Sequence, residues 1–434
     1  MTAIGAFLIY HFFVHTIRNE RPLAGANVAV AQGHGTQSEA SFAGDPKRPW
    51  IVFGALGASG ELVGDSGSTE LVLSDDGGAT WRASVAPVIP GHGCFYAAPR
   101  TGIDRGGREY FAFLVADPCG ATLTPYLVVA SRSGPHGRWA PVTRIAPRVG
   151  RWGFDDGPAL AIDDRSGRVY LAWTRGLGKR RVVVVVSSSD DRGKTWTRPR
   201  SVSDALADPH LASIAVASDG SVYVTGIDGR IGLWIARSTD GGRSFGAPKT
   251  AAPLVADPAR NDCALSIDGP LPYELTRCIG PNPTVLVHGP RIFVVYADVG
   301  PNRTQDVFVS VLSRDLRPLF RARVSPPDSG SSEQFFPAAA VDARTGVLSA
   351  CWYDTTYDPH AHRAWFTCST SSGGHLWSEP LRAAALPTPP GDLYRTLPIA
   401  PTLVAADDRV HAFWPDGRNY RRGIEMFTAT FPEP

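Results

Sequence analysis

One eight-residue phrase recurs along this chain: Ser74-Asp75-Asp76-Gly77-Gly78-Ala79-Thr80-Trp81, then Ser189-Asp190-Asp191-Arg192-Gly193-Lys194-Thr195-Trp196, then Ser238-Thr239-Asp240-Gly241-Gly242-Arg243-Ser244-Phe245. Residues 370–377 form a fourth copy without the Asp, and residues 131–139 are a looser relative with one extra residue. Each copy follows a short apolar run, so each closes a predicted strand. Its Asp or Ser side chain can accept turn N–H groups, and a Gly near the apex tolerates positive φ. The terminal Trp or Phe begins the next strand and can wedge between sheets. Length alone would allow two or three domains for 434 residues, but a repeat of this kind decides for one unit. Plentiful Gly and Pro and the absence of a long helical period suit many short strands joined by turns.

Reading backwards from each copy, every unit contains an alternating run, a turn, then a second strand dense in large side chains. Those second strands are 50–53, 110–113, 169–173, 222–224, 292–296, 348–352 and 410–414. Seven units spaced by roughly 55–70 residues fit four-stranded propeller blades with long loops. The fifth unit keeps only Ser313-Arg314-Asp315, without Gly. The seventh runs out soon after its third strand, and residues 27–31 have nothing local to pair with. They are expected to supply the missing strand and close the ring, which removes exposed edges. The expected fold is therefore all-β, a single seven-bladed β-propeller over residues 27–434.

The phrase resembles the Asp-box of sialidases and other bacterial-neuraminidase-repeat proteins. Late segments, Phe336-Pro337 leading to Val341-Asp342, Cys351-Trp352-Tyr353-Asp354 and Phe413-Trp414-Pro415-Asp416-Gly417-Arg418, look like exported bacterial proteins labelled sialidase-like by their repeats. The resemblance covers most of residues 38–434. It implies that the boxes are structural and lie on the face opposite the active site. Sialidases usually have six blades, so a seventh departs from the enzyme pattern, and fold alone does not imply function.

On the face opposite the boxes, loops leading into first strands contribute Glu39, Asp155, Asp156, Asp208 with His210, Glu333, and Tyr394 with Arg395. Loops joining second to third strands contribute Asp354, Asp416 and Arg418. A glycosidase needs two carboxyl groups about 5–10 Å apart, or a Tyr nucleophile in sialidases. The resemblance makes Tyr394 the nucleophile and Glu333 its base, with Asp156 a further catalytic acid. It assigns Arg395, Arg418 and Arg151 to a carboxylate clamp, although no Arg-Ile-Pro occurs and Arg21-Pro22 lies in the wrong context. Glu39, Asp155, Asp208, Asp354 and Asp416 complete the ligand-binding candidates. Each has a blander role beside it: such carboxylates commonly cap turns, such arginines commonly pair with loop acids, and His210 reads as a turn residue after Pro209.

A net charge of +2 with scattered basic residues excludes a nucleic-acid footprint. Only four lysines occur, beside abundant Arg and Ala, a bias expected of a GC-rich bacterial genome. Among six cysteines, Cys351 and Cys368 flank a hairpin loop in a register that aligns 352 with 367 and 353 with 366. Cys263 and Cys278 share one long connection, and Cys94 and Cys119 remain as the third pair. Three disulfides imply an exported protein, extracellular or in the cell envelope. Residues 1–26, with the apolar run 3–17, read as a signal peptide or a membrane anchor, and a buried strand is the alternative. No cofactor is expected, apart from a structural Ca²⁺ among the clustered Asp residues, for which no EF-hand spacing exists. The leading functional expectation is an exported propeller that binds a carbohydrate or cell-envelope ligand without hydrolysis. A sialidase-like glycoside hydrolase is the alternative.

Overall fold

A computed structural model describes residues 25–31, 36–59, 68–91, 93–118, 125–147, 153–178, 181–255, 280–302, 304–327, 332–358, 363–388, 401–418 and 424–433. Among them, strands form seven four-stranded antiparallel sheets and no helix occurs. Each of the first six blades takes its four strands in chain order. In blade 1 these are Thr36–Asp45 innermost, then Arg48–Ser59, Ser68–Ser74 and Arg82–Ser84. The expected seven-bladed propeller is the fold observed.

The second strands are apolar along both faces because each is buried on both. In Glu109–Ala116 every residue is buried. Alternate side chains serve different neighbours: Phe111, Phe113 and Val115 join blade 1 residues such as Phe53 and Leu71. Ala112 and Leu114 join blade 3 residues such as Leu171 and Trp173. Seven such clusters exist, one at each junction between blades. The core is thus a ring of interfaces rather than a single centre.

Closure follows the expectation from residues 27–31. Val28–Ala29 is the outermost strand of blade 7, with Val28 opposite Thr428 and Ala29 opposite Phe427. Asn27 ties this segment to blade 6 by donating to the Ala383 carbonyl (2.7 Å) and accepting from the Ala385 N–H (2.7 Å). At the junction of blades 7 and 1, Phe42 stacks on Phe413 with ring centroids 3.8 Å apart. Residues 1–24, which hold the run 3–17, lie outside the described residues.

The recurrent turn is built as its chemistry suggests. In blade 1 the Ser74 hydroxyl accepts the Gly78 N–H (2.8 Å) and donates to Asp76 (2.8 Å), whose carboxylate also accepts the Thr80 N–H (2.9 Å). Gly77 and Gly78 take φ of 73° and 87°, which side chains with a Cβ resist. The box Trp wedges between blades: Trp81 lies edge-on to Phe42 and Phe413, at 5.7 and 5.8 Å. Ser189 with Asp191 and Ser238 with Asp240 repeat the arrangement. In blade 6 the turn survives without its Asp, since Ser371 still accepts the Gly374 N–H (2.8 Å).

Cys351 and Cys368 sit opposite each other in the hairpin of blade 6 and are disulfide-bonded. Cys94 is also disulfide-bonded. Its expected partner Cys119, and both Cys263 and Cys278, lie outside the described residues.

Candidate functional site

Antiparallel order fixes the two faces. Each innermost strand starts on one face, the second strand returns there, and the box joins the third strand to the fourth on the other. Starts of the innermost strands therefore ring the channel mouth opposite the boxes. At that level Glu39, Ala98, Gly157, Leu211, Asn282 and Phe336 all take left-handed φ between 44° and 55°. One such residue per blade appears in blades 1 to 6. The ladder slips at the same place, for example between Asp156 and Ala159 and between Phe335 and Ala338. These are β-bulges, which bend a strand and re-aim its side chains. Pro99, Pro158, Pro283 and Pro337 follow the left-handed residue, and Pro401 holds the matching sequence position in blade 7. A proline suits a bulge because it has no N–H to give the ladder.

The bulges of blades 1 to 4 gather a charged arc. Glu39 accepts the N–H of Ala98, the equivalent bulge residue of blade 2. Burial pushes its carboxyl up to about 7, against the pull of that N–H and of Arg100, with Asp156 adding to the rise. Asp156 is raised as well, by desolvation first, and is held down by the Gly157 N–H (2.7 Å), Arg100 and His210. It remains open to solvent, the combination expected on the wall of a concavity. Arg100 feels both carboxyl groups and donates to the Pro99 carbonyl (2.7 Å). Tyr96, which stays partly exposed, is raised by burial and then by Asp156 and Glu39. His210 Nδ1 bonds the Asp208 carbonyl (2.8 Å). A carbonyl only accepts, so that nitrogen carries a proton in this contact.

The structure therefore unites Glu39, Asp156 and His210 from the residues nominated for this face and adds Arg100 and Tyr96. Arg100 and Tyr96 were not foreseen, because without the bulge both read as ordinary positions within a strand. The signal available was the proline recurring at one place in five units, which marks the level of the mouth.

Other predicted residues are occupied elsewhere. Asp155 is buried, accepts the Trp173 indole N–H (2.7 Å) and lies 3.3 Å from Arg175. Successive residues of a strand face opposite ways, so it cannot share the position of Asp156. Glu333 accepts the Gln305 N–H (2.5 Å) of the neighbouring blade. Asp354 and Asp416 belong to a second repeat: with Asp228 and Asp298 they sit at the end of the second strand in blades 4 to 7, all buried. There they pin loops. Asp228 accepts the N–H groups of Ala207 (2.9 Å) and Asp208 (3.0 Å), and Asp354 accepts that of Thr356 (2.8 Å). Asp416 accepts from the Trp414 indole (2.9 Å) and pairs with Arg418 (2.6 Å), which also reaches Asn27 (3.1 Å). The Asp208 side chain is exposed while its backbone holds the loop. Tyr394, Arg395 and Arg151 lie outside the described residues. Among the described residues, no group of three or more His, Cys, Asp or Glu side chains is placed to hold a metal ion.

No protein-family model matches the chain, and no curated protein matches its sequence. Solved structures do. The GH93 α-L-arabinofuranosidase of Fusarium graminearum, in complex with arabinobiose, matches with a TM-score of 0.52 at 10% identity, over 94% of this chain and 98% of that one. The endosialidase of phage phi92 matches with a TM-score of 0.52 at 9% identity, over 95% of this chain and 70% of that one. The fold is a sialidase-like propeller. At these identities the likeness is one of fold, and the propeller's chemistry rests on its own residues.

Proposed function

We propose that the protein binds a carbohydrate at the channel mouth, on the face opposite the Asp-boxes, through Glu39, Arg100 and Asp156 with Tyr96 and His210 around them. The carrying observation is the meeting of two carboxyl groups and one guanidinium at the bulges of successive blades. Backbone held in left-handed φ at a non-glycine residue is costly, and such positions cluster at ligand sites. Structural neighbours that act on or bind carbohydrate add support. A sugar carboxylate set against Arg100 would also face Glu39 and Asp156, which favours uncharged sugars over sialic acid. The disulfides support an exported protein working in an oxidising setting.

Titration calorimetry with arabinobiose, and with sialyllactose for contrast, tests the proposal. The neutral disaccharide is expected to bind, and Arg100→Gln or Asp156→Asn to weaken it by about tenfold or more, the cost of losing a hydrogen bond to a charged group. Unchanged affinity in both variants would remove the site.

A second reading, hydrolysis, is favoured by one observation. Glu39, pushed up to about 7, keeps its proton near neutrality, as a general acid must, and Asp156 is the second carboxyl group beside it. Release of free sugar by the wild type and its loss in Glu39→Gln would establish this chemistry. Binding without release in the wild type would refute it.

A further inference from the structure

Beneath the charged arc the channel changes character. A cavity of about 370 Å³ opens there, walled by the innermost strands just past each bulge. Its apolar wall includes Leu160, Ile214, Val285, Leu286 and Leu403. Arg100 and Gly157 line it too, so it is continuous with the arc.

Three hydroxyl groups in the wall help to join one blade to the next, and Thr284 supplies a fourth that makes no such bond among the described residues. Ser41 accepts the Thr101 N–H (3.0 Å), Ser213 accepts the Val285 N–H (3.1 Å), and Thr402 donates to the Ala40 carbonyl (3.2 Å). A sugar pushed into this space would shed water from its own hydroxyls and meet few groups to replace it, because most of the wall is apolar. Apolar matter meets no such cost. Cavities of about 150 Å³ with apolar walls accept a benzene-sized molecule, and this channel exceeds twice that volume.

We infer that the ligand is an uncharged glycoside bearing an apolar group, with its sugar on the Glu39–Arg100–Asp156 arc and the apolar group descending into the channel. This rests on the carbohydrate reading above and names the class of molecule for the same site.

The test is a dissociation-constant series with methyl, butyl and octyl arabinofuranosides and the matching glucosides, below their micellar concentrations. Affinity is expected to rise by about three- to fourfold for each methylene that enters the channel, from about 0.8 kcal/mol per buried CH₂, and to level off once the channel is full. Leu160→Gln should flatten that dependence while leaving the methyl glycoside unchanged, and Arg100→Gln should weaken all members alike. Far-ultraviolet circular dichroism and a melting curve show whether the Leu160 variant is folded. If it is not, Ile214→Thr, a smaller change on the same wall, replaces it. Equal affinity across the series, still sensitive to Arg100→Gln, would overturn the apolar group and leave the sugar site standing. No binding by any member would overturn both.

Discussion

On the Asp-box face Asp191 accepts the Thr195 hydroxyl and N–H (2.6 and 2.8 Å) and the Ser189 hydroxyl (2.8 Å), which together hold its carboxyl down at about 2. At the channel mouth Glu39 is desolvated, set beside Asp156, and compensated by the Ala98 N–H and Arg100, so its carboxyl rises to about 7. The same functional group is stabilised ionised on one face and penalised ionised on the other. Carboxylates surrounded by donors that belong to their own turn hold structure together. Carboxyl groups left with too few donors are the ones for which a ligand has something to offer. By that criterion Asp354 and Asp416, which faced the right way on sequence grounds, fall with the structural group.

Four substitutions can break or sharpen this contrast. Asp416→Ala should have the largest effect, because it strands the buried Arg418 guanidinium; a loss of about 3–5 kcal/mol is expected in denaturant melts. If the loss is below about 1 kcal/mol, Asp416 is not structural. Glu39→Gln should act in the opposite direction. Between 4.5 and about 7 the folded protein binds more protons at this site than the unfolded chain does, so wild-type stability falls as pH rises through that window. The variant should match the wild type near pH 4 and exceed it at pH 8, by on the order of 2 kcal/mol. A Glu39 variant less stable than the wild type at pH 8 would place Glu39 with the structural acids.

Asp191→Ala should cost about 1 kcal/mol at pH 7, the scale of a lost side-chain cap. A depressed carboxylate stabilises above its unfolded value and loses that contribution as pH falls, so the difference from the wild type should close between 3.8 and about 2. A gap that persists below that range would mean the turn does not depend on the ionised form. The smallest effect belongs to Asp208→Ala, within about 0.5 kcal/mol, as expected of an exposed side chain whose loop is held by backbone bonds. A larger change in ligand affinity than in stability would bring Asp208 into the site after all.

Much of the fold was legible because its determinants are local or periodic. The Ser-Asp-Gly-Trp phrase encodes its own hydrogen bonds within eight residues, and doubly buried second strands read as long apolar runs, as residues 110–116 do. The lone strand at residues 28–29 was legible from its lack of a local partner. The candidate site was legible only in part. Position in a loop could nominate Glu39 and Asp156, but equally Glu333, Asp354 and Asp416, because the choice depends on which backbone N–H groups lie within reach across neighbouring blades. Arg100 entered through a bulge, and a bulge shifts the alternation from which facing is read.

The outermost strand of blade 7, Val28–Ala29, finds its place only against Glu425–Pro432. During synthesis at about 5–20 residues per second, roughly 20–80 s pass between the emergence of these two partners. Through that interval the earlier strand must stay unclaimed while the blades between are made and stacked. Ring closure therefore waits until the seventh blade is made, and a chain truncated within that blade would be left as an open circle with two exposed strand edges.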